Sequence, residues 1–152
     1  MRADMAGDLP SAVLFCCTFN AIRSPMAAGI FRRFHGKSIF VDSVGVKIDD
    51  PDPFAVAVMD EIGIDISKHR PKTFEDLEDD SFDVIISLSP EAQHKAVELT
   101  RTNSCEVEFW PTFDPTLVEG SREARLDAYR QVRDELMRHI LQRFPTQPLA
   151  RE

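Results

Sequence analysis

Residues 12–25 read AVLFCCTFNAIRSP, and this stretch decides the fold. Its first five residues form a continuous apolar run, which is typical of a β-strand buried on both faces. Ser24 and Pro25 then open a segment with apolar residues at helical spacing, since proline suits the first turn of a helix. The stretch therefore predicts a buried strand that passes through a short loop, residues 18–22, into a helix.

The rest of the chain alternates between strand-like and helix-like segments. Strands are predicted at 38–46, 82–88 and 105–110, and helices at 24–34, 53–63, 90–100 and 121–144. Residues 65–77 are predicted to be loop with a short helix, and 111–120 to be loop. This alternation predicts an α/β fold, with a parallel sheet between helices. We expect one domain over 1–152, with its core at about 12–144 and flexible termini.

Composition and charge restrict the classes of partner. The chain has 152 residues, a net charge of -8 and a pI near 5.0, which argues against nucleic acids and anionic membranes as partners. Its three cysteines are an odd number, and no apolar signal segment opens the chain, so we expect reduced thiols and a cytoplasmic location. The histidines are scattered, so neither a metal site nor a cofactor is expected.

The loop that follows the first strand has the residues of an oxyanion site. Backbone N–H groups in such a loop, together with a helix N-terminus, bind an anion without a metal. Cys17 opens the loop and is expected to be a thiolate nucleophile. Arg23 presents a fork of donors to two oxygens of the anion, and Ser24 can donate a hydrogen bond to the sulfur. Cys16 continues the apolar strand and is expected to be structural.

The sequence resembles the low-molecular-weight protein tyrosine phosphatases and their relatives, the thioredoxin-coupled arsenate reductases. The resemblance covers roughly residues 12–144 and rests on an ordered set of segments: VLFCCTFNAIRSPMA, VDSVGV, GIDISKHRPK, DVIISLSP and WPTFDP. The first of these resembles the family's nucleophile loop, C-x-G-N-x-x-R-S-P. The resemblance implies a single three-layer domain, phosphotyrosine protein phosphatase I-like, with a four-stranded parallel sheet flanked by helices.

The resemblance also implies roles for individual residues. Cys17 matches the nucleophile, Arg23 the oxyanion-binding arginine and Asp114 the general acid. The substrate-binding loop and its supports match, in order, Thr18, Phe19, Asn20, Ala21, Ile22 and Ser24, with Ser43 and His69 hydrogen-bonded behind the asparagine. Taken alone, Asp-Pro is ordinary turn chemistry, as we read DPDP at 50–53, so the role of Asp114 depends on the resemblance.

Several departures from the family pattern bear on function. Phe19 replaces a glycine, and either distorts the loop or forms an apolar wall of the pocket. The aromatic residues that follow Asp-Pro in tyrosine-specific members are replaced by Thr116 and Leu117. Phe19, Trp110 and Phe113 are the candidates to substitute for them. Cys105 is the single cysteine after the third strand, where thioredoxin-coupled reductases carry two.

Three functions therefore stay open at this point. The first is a cysteine-dependent phosphatase that hydrolyses phosphomonoesters, with a phosphorylated protein (phosphotyrosine) or a small phosphomonoester as substrate. The second is an arsenate reductase that uses an external thiol reductant, because Cys105 is expected to be structural. The third is a phosphate- or phosphoprotein-binding module in which Phe19 has abolished turnover. In all three the loop binds oxyanions such as phosphate, arsenate and vanadate.

Overall fold

A computed structural model describes residues 9–78 and 81–146 of the chain. Four strands form one parallel sheet in the order β2-β1-β3-β4. The strands are β1 (Ala12–Cys17), β2 (Phe40–Gly45), β3 (Val84–Ser87) and β4 (Glu106–Phe109). The helices are α1 (Arg23–His35), α2 (Pro53–Asp60), α3 (Pro90–Leu99) and α4 (Arg122–Arg143). The predicted α/β architecture with a four-stranded parallel sheet is confirmed.

Each face of the sheet carries its own hydrophobic core, because successive side chains of a strand point to opposite faces. Val13, Phe15 and Cys17 of β1 face the larger core, which also contains side chains of α1, α2 and α4. Leu14 and Cys16 face the smaller core, together with side chains of α3. The three layers are therefore α1, α2 and α4, then the sheet, then α3.

The long helix α4 closes the larger core against α1. Its buried apolar side chains recur every three or four residues: Leu126, Tyr129, Val132, Leu136 and Ile140. Just beyond the helix, Phe144 lies edge-on to Phe31 of α1, at 5.2 Å between ring centroids. The Phe144 carbonyl also lies 2.8 Å from His35 Nε2, which donates to it. This end of α4 is thus fixed to α1 through both packing and a buried hydrogen bond.

Small differences from the predicted boundaries have local causes. The helix predicted at 53–63 ends at Asp60, and Gly63 follows it in a turn with φ of 78°, a conformation that glycine adopts without strain. The predicted loop 111–120 contains a 3-10 helix, Pro115–Leu117, which Asp114 caps. The short helix expected within 65–77 is the 3-10 helix Phe74–Asp76. The predicted flexible termini lie mostly outside the described residues.

Within residues 9–78 and 81–146, no helix has the length and apolar character needed to cross a membrane.

The burial of side chains in α4 predicts how substitutions there change the free energy of unfolding. Leu136 is completely buried, so Leu136→Ala should lower the free energy of unfolding by about 2–5 kcal/mol through lost contacts and a cavity. Leu117 is 68% exposed, so the same substitution there should change it by no more than about 0.5 kcal/mol. Urea unfolding followed by circular dichroism measures both. Equal losses in the two variants would contradict the packing described here.

Candidate active site

Cys17 lies at the carboxyl end of β1, and its sulfur is surrounded by hydrogen-bond donors. Backbone N–H groups of Asn20 and Ser24 donate to Sγ at 3.3 and 3.4 Å. Ser24 Oγ lies 3.0 Å from the same sulfur. The sulfur thus has two backbone N–H donors and one hydroxyl within hydrogen-bond distance. The side chain is only 2% exposed, which leaves the sulfur at the bottom of a cavity.

The neighbouring Cys16 has a different environment. Its side chain points to the opposite face of the sheet and is completely buried in the smaller core. Burial, followed by the proximity of Cys17, raises the pKa of the Cys16 thiol well above its ordinary value. Cys16 is therefore a neutral core residue, and it points away from the cavity that contains Cys17.

Asn20 is the centre of a buried hydrogen-bond network that shapes the oxyanion loop, residues 18–22. Its Nδ2 donates to Ser24 Oγ at 2.9 Å and to Ser43 Oγ at 3.0 Å, and its Oδ1 accepts from the Lys72 backbone N–H at 2.9 Å. Its backbone carbonyl lies 2.8 Å from His69 Nε2, which must carry the proton because a carbonyl only accepts. The structure thus brings Ser43 and His69 against this asparagine.

The backbone of Asn20 explains why this residue type stands at this position. It is the one non-glycine residue with positive φ, 55°, in the part of the chain that the structure describes. Asparagine tolerates this left-handed conformation better than most residues. In this conformation the Asn20 N–H points towards the Cys17 sulfur, to which it donates at 3.3 Å. Asparagine at position 20 therefore meets two requirements: it tolerates the left-handed backbone, and its side chain forms the buried hydrogen bonds.

The chain that continues from β2 supports the loop from the side. Val46 N donates to the Cys17 carbonyl at 3.1 Å, and Lys47 N donates to the Thr18 carbonyl at 2.8 Å. Gly45 allows this close approach, because a Cβ there would lie 2.7 Å from the Asn20 nitrogen. The side chain of Thr18 points towards α3, where its hydroxyl donates to Ser89 Oγ at 3.0 Å.

Phe19 does not distort the loop, which decides between the two expectations for this position. Positive φ falls on Asn20 and not on Phe19, so the backbone at Phe19 has no need of glycine. The side chain is 39% exposed and lines the cavity together with Ala21 and Ile22. Of the three aromatic candidates, Phe19 is the one that lines this cavity; Trp110 packs on Phe15, and Phe113 lies outside the lining.

Arg23 and Asp114 approach the cavity from different elements. Arg23 Nη1 donates to the Thr112 carbonyl at 2.9 Å, which is the guanidinium's one hydrogen bond to the described residues, so its other N–H groups stay available to an anion. The same bond joins α1 to the segment that carries Asp114. Asp114 Oδ1 accepts from Thr116 N at 3.0 Å and Thr116 Oγ1 at 2.7 Å, and Oδ2 has no donor among the described residues.

The cavity above Cys17 has a volume of about 220 Å³. Its lining includes six of the predicted site residues, Cys17, Phe19, Ala21, Ile22, Arg23 and Asp114, but not Thr18, Asn20 or Ser24. It also includes three aspartates that were not predicted to belong to the site: Asp49, Asp50 and Asp52. The sequence alone indicates an ordinary turn at the DPDP segment, and Asp52 does cap α2 there; in addition, Asp50 and Asp52 line the cavity beside Cys17. The segment's position in the loop that leaves β2 at the carboxyl edge of the sheet was the available signal.

Cys105 lies at the opposite edge of the sheet from Cys17. Ser87 of β3 pairs with Cys16 of β1 on one side and with Phe109 of β4 on the other. Cys17 is therefore level with Trp110, which lies five residues after Cys105 in the chain. At about 3.3 Å per residue the two cysteines are about 16 Å apart along the strands. A disulfide requires Cα atoms within about 7 Å. Cys105 therefore cannot resolve an adduct on Cys17 in this fold.

No group of three or more His, Cys, Asp or Glu side chains within residues 9–78 and 81–146 is arranged to hold a metal ion. The charges that face the cavity are therefore those of Arg23, of the loop N–H dipoles and of the carboxylates named above.

Comparison with known proteins identifies the family. Residues 12–148 match the profile of the family described as low molecular weight phosphotyrosine protein phosphatase, and the chain belongs to this family. An arsenate reductase of Halalkalibacterium halodurans is 34% identical over 84% of this chain and 91% of that protein. The glutaredoxin arsenate reductase of Synechocystis is 40% identical over 50% of this chain and 58% of that protein.

The solved structures agree with the family assignment. A low molecular weight protein tyrosine phosphatase from T. tengcongensis has a TM-score of 0.69 and 29% identity, over 85% of this chain and 94% of that one. The resemblance noted in the sequence is thereby confirmed, and the relatives include both phosphatases and arsenate reductases.

His69 should give the stability of the site a pH dependence. Burial lowers the pKa of His69 below its ordinary value of 6.5, and the hydrogen bond to the Asn20 carbonyl opposes this only in part. The unfolded chain therefore binds the proton more readily, so the free energy of unfolding should decrease as the pH falls below about 6.5. We expect His69→Gln, whose amide still donates, to flatten this dependence between about pH 6.5 and 5.

Urea unfolding at a series of pH values measures this effect, with His94→Gln on the exposed side of α3 as the control. The His94→Gln curve should follow the wild type. A His69→Gln curve that also follows the wild type would disprove the assignment to His69.

Proposed function

We propose that this protein is a cysteine-dependent phosphatase that hydrolyses phosphomonoesters through a cysteinyl-phosphate intermediate. The observation that carries the proposal is the position of three groups around one cavity. Cys17 Sγ lies at the base of the cavity among N–H donors, and Arg23 has N–H groups available beside it. Asp114 lies in the cavity wall, and none of the described residues donates to its Oδ2. These are the nucleophile, the oxyanion ligand and the proton donor of such a reaction.

The first step transfers the phosphoryl group to sulfur. The loop N–H groups and Arg23 bind the non-bridging oxygens, which spreads the charge of the transition state. The Cys17 thiolate forms a bond to phosphorus as the ester P–O bond breaks. Asp114, protonated at this stage, gives its proton to the leaving oxygen. Ser24 Oγ, 3.0 Å from the sulfur, stabilises the thiolate before attack and when it leaves in the second step.

The second step returns the enzyme to its starting state. The Asp114 carboxylate accepts a proton from a water molecule, whose oxygen attacks phosphorus while the S–P bond breaks. The products are inorganic phosphate, the Cys17 thiolate and a protonated Asp114, so protons and electrons balance over the cycle. Thr116 holds Asp114 Oδ1 through two hydrogen bonds, which leaves Oδ2 as the oxygen that exchanges the proton.

The substrate that we propose is a phosphorylated protein, with phosphotyrosine as the first residue to test. The family's description supports this substrate, and Phe19 supplies an aromatic wall where Thr116 and Leu117 supply none. Small phosphomonoesters enter the same cavity, because the groups that hold the phosphate all belong to residues 17–24.

Hydrolysis of aryl phosphates tests the mechanism. Cys17→Ser should abolish turnover, because an alcohol is a far weaker nucleophile at neutral pH than a thiolate. Asp114→Asn should lower kcat on phenyl phosphate by about 10²-fold or more, and less on p-nitrophenyl phosphate, whose leaving group needs little protonation. Wild-type turnover should persist with chelator and be inhibited competitively by vanadate. Equal losses on the two esters would contradict an acid role for Asp114.

A second function is favoured by the names of the relatives. Arsenate reductases are among the proteins most similar to this chain. In that reaction the Cys17 thiolate displaces hydroxide from arsenate, and an external thiol attacks the sulfur of the adduct. This attack reduces the arsenic by two electrons, so that arsenite leaves and Cys17 forms a mixed disulfide with the external thiol. A second external thiol then attacks the mixed disulfide and regenerates the Cys17 thiolate. Because Cys105 is about 16 Å away along the strands, this chain needs an external thiol at both steps.

Arsenate-dependent oxidation of glutathione, with and without glutaredoxin, tests this second function. If the protein reduces arsenate, Cys105→Ala should retain the wild-type rate, because Cys105 lies too far from Cys17 to take part. Loss of the rate in that variant would contradict the external route. Tight vanadate binding without turnover in either assay would instead support the third function, a phosphate-binding module.

A further inference from the structure

The cavity has a charge distribution that the family mechanism does not require. At its base, the loop N–H groups and Arg23 present positive charge to a phosphate. At its mouth, the loop between β2 and α2 contributes three carboxylates, Asp49, Asp50 and Asp52, which we call the acidic rim. Asp49 and Asp50 are exposed to solvent. The phosphate-binding base and the acidic rim thus have opposite signs within one pocket.

Hydrogen bonds fix the acidic rim without neutralising it. Asp52 Oδ1 accepts from the backbone N–H of Phe54 and Ala55, and its Oδ2 accepts from the Tyr129 hydroxyl at 2.8 Å. These partners are neutral, since burial and the Asp52 hydrogen bond raise the pKa of Tyr129. Asp49 Oδ1 accepts from the Asp50 N–H at 2.8 Å.

The arginines near the acidic rim contact an aromatic ring and form no ion pair with these carboxylates. Arg122 and Arg125 of α4 stack over the Phe54 ring, at 5.1 and 4.7 Å from its centroid. Among the described residues, no lysine or arginine forms an ion pair with the acidic rim, and Arg23 is the one cation in the cavity lining. The three negative charges therefore act on whatever enters the pocket.

We propose that the acidic rim selects phosphorylated protein segments in which lysine or arginine flanks the phosphorylated residue; this inference rests on the proposed phosphatase function. A bound phosphate lies at the base, so the residues on either side of it must pass the mouth. A cation there meets unpaired carboxylates, whereas an acidic residue is repelled. At about 4 Å one such pair in water is worth roughly a fivefold effect, so two or three pairs together reach about tenfold.

A matched pair of phosphotyrosine peptides tests the acidic rim. The peptides differ only in the residues that flank the phosphotyrosine, which are lysine in one and glutamate in the other. For the wild type we expect kcat/KM to be about tenfold higher for the lysine peptide at low ionic strength, and this ratio to decrease in high salt. Asp49→Asn with Asp50→Asn keeps the loop hydrogen bond and removes two charges, so its ratio should fall to about twofold or less.

The control removes two charges at the other edge of the sheet. Glu106 begins β4 and Glu98 lies near the end of α3, so both are far from the cavity mouth. Glu98→Gln with Glu106→Gln changes the net charge as the rim variant does, and it should keep the wild-type ratio. A wild-type ratio near one, or a rim variant that keeps the wild-type ratio, would overturn the proposal.

Binding measurements separate this proposal from the proposed function. Calorimetric titration of Cys17→Ala with the same two peptides gives a ratio of dissociation constants that needs no turnover. If the wild type hydrolyses no phosphomonoester but Cys17→Ala binds the lysine peptide about tenfold more tightly, the phosphatase function fails and the charge selection stands. If Cys17→Ala binds both peptides equally, the charge selection fails, whatever the rates of hydrolysis.

Discussion

The candidate active site depends on one buried asparagine, whose side chain and backbone take part in five hydrogen bonds. Asn20 holds Ser24, Ser43, the Lys72 backbone and His69, and in its left-handed conformation its own N–H donates to the Cys17 sulfur. Buried polar groups are costly unless they are paired, so this network has one low-energy arrangement. The oxyanion loop is therefore formed before any substrate arrives, which is the condition for electrostatic catalysis.

The parallel sheet brings the rest of the site to that loop. β1 ends at Cys17, the chain after β2 pairs with the loop backbone, and the segment after β4 reaches the site through the Arg23–Thr112 hydrogen bond. Because all four strands run in one direction, their carboxyl ends meet at one edge. The same geometry keeps Cys105, which precedes β4, at the opposite edge. Sheet direction alone thus separates Cys17 from Cys105.

The charge selection that we propose concerns a chain whose relatives include both phosphatases and arsenate reductases. The base binds a tetrahedral oxyanion of either kind, because it recognises only shape and negative charge. The carboxylates at the mouth act on what is attached to that oxyanion. They oppose the entry of a free dianion and favour a substrate that carries positive charge beside its phosphate. The proposed charge selection thus agrees with the proposal that the substrate is a phosphorylated protein.

The sequence by itself determined the element order, the parallel sheet and the oxyanion loop, because these follow from short-range patterns: apolar periodicity, a strand that leads into Ser-Pro, and an ordered set of motifs. The sequence left the effect of Phe19 open, and it indicated only a turn for the DPDP segment. Only the tertiary structure decided these points. Phe19 is accommodated because Asn20 takes the positive φ. The carboxylates of Asp50 and Asp52 reach the cavity because β2 lies next to β1 in the sheet, a pairing between distant residues that local sequence does not encode.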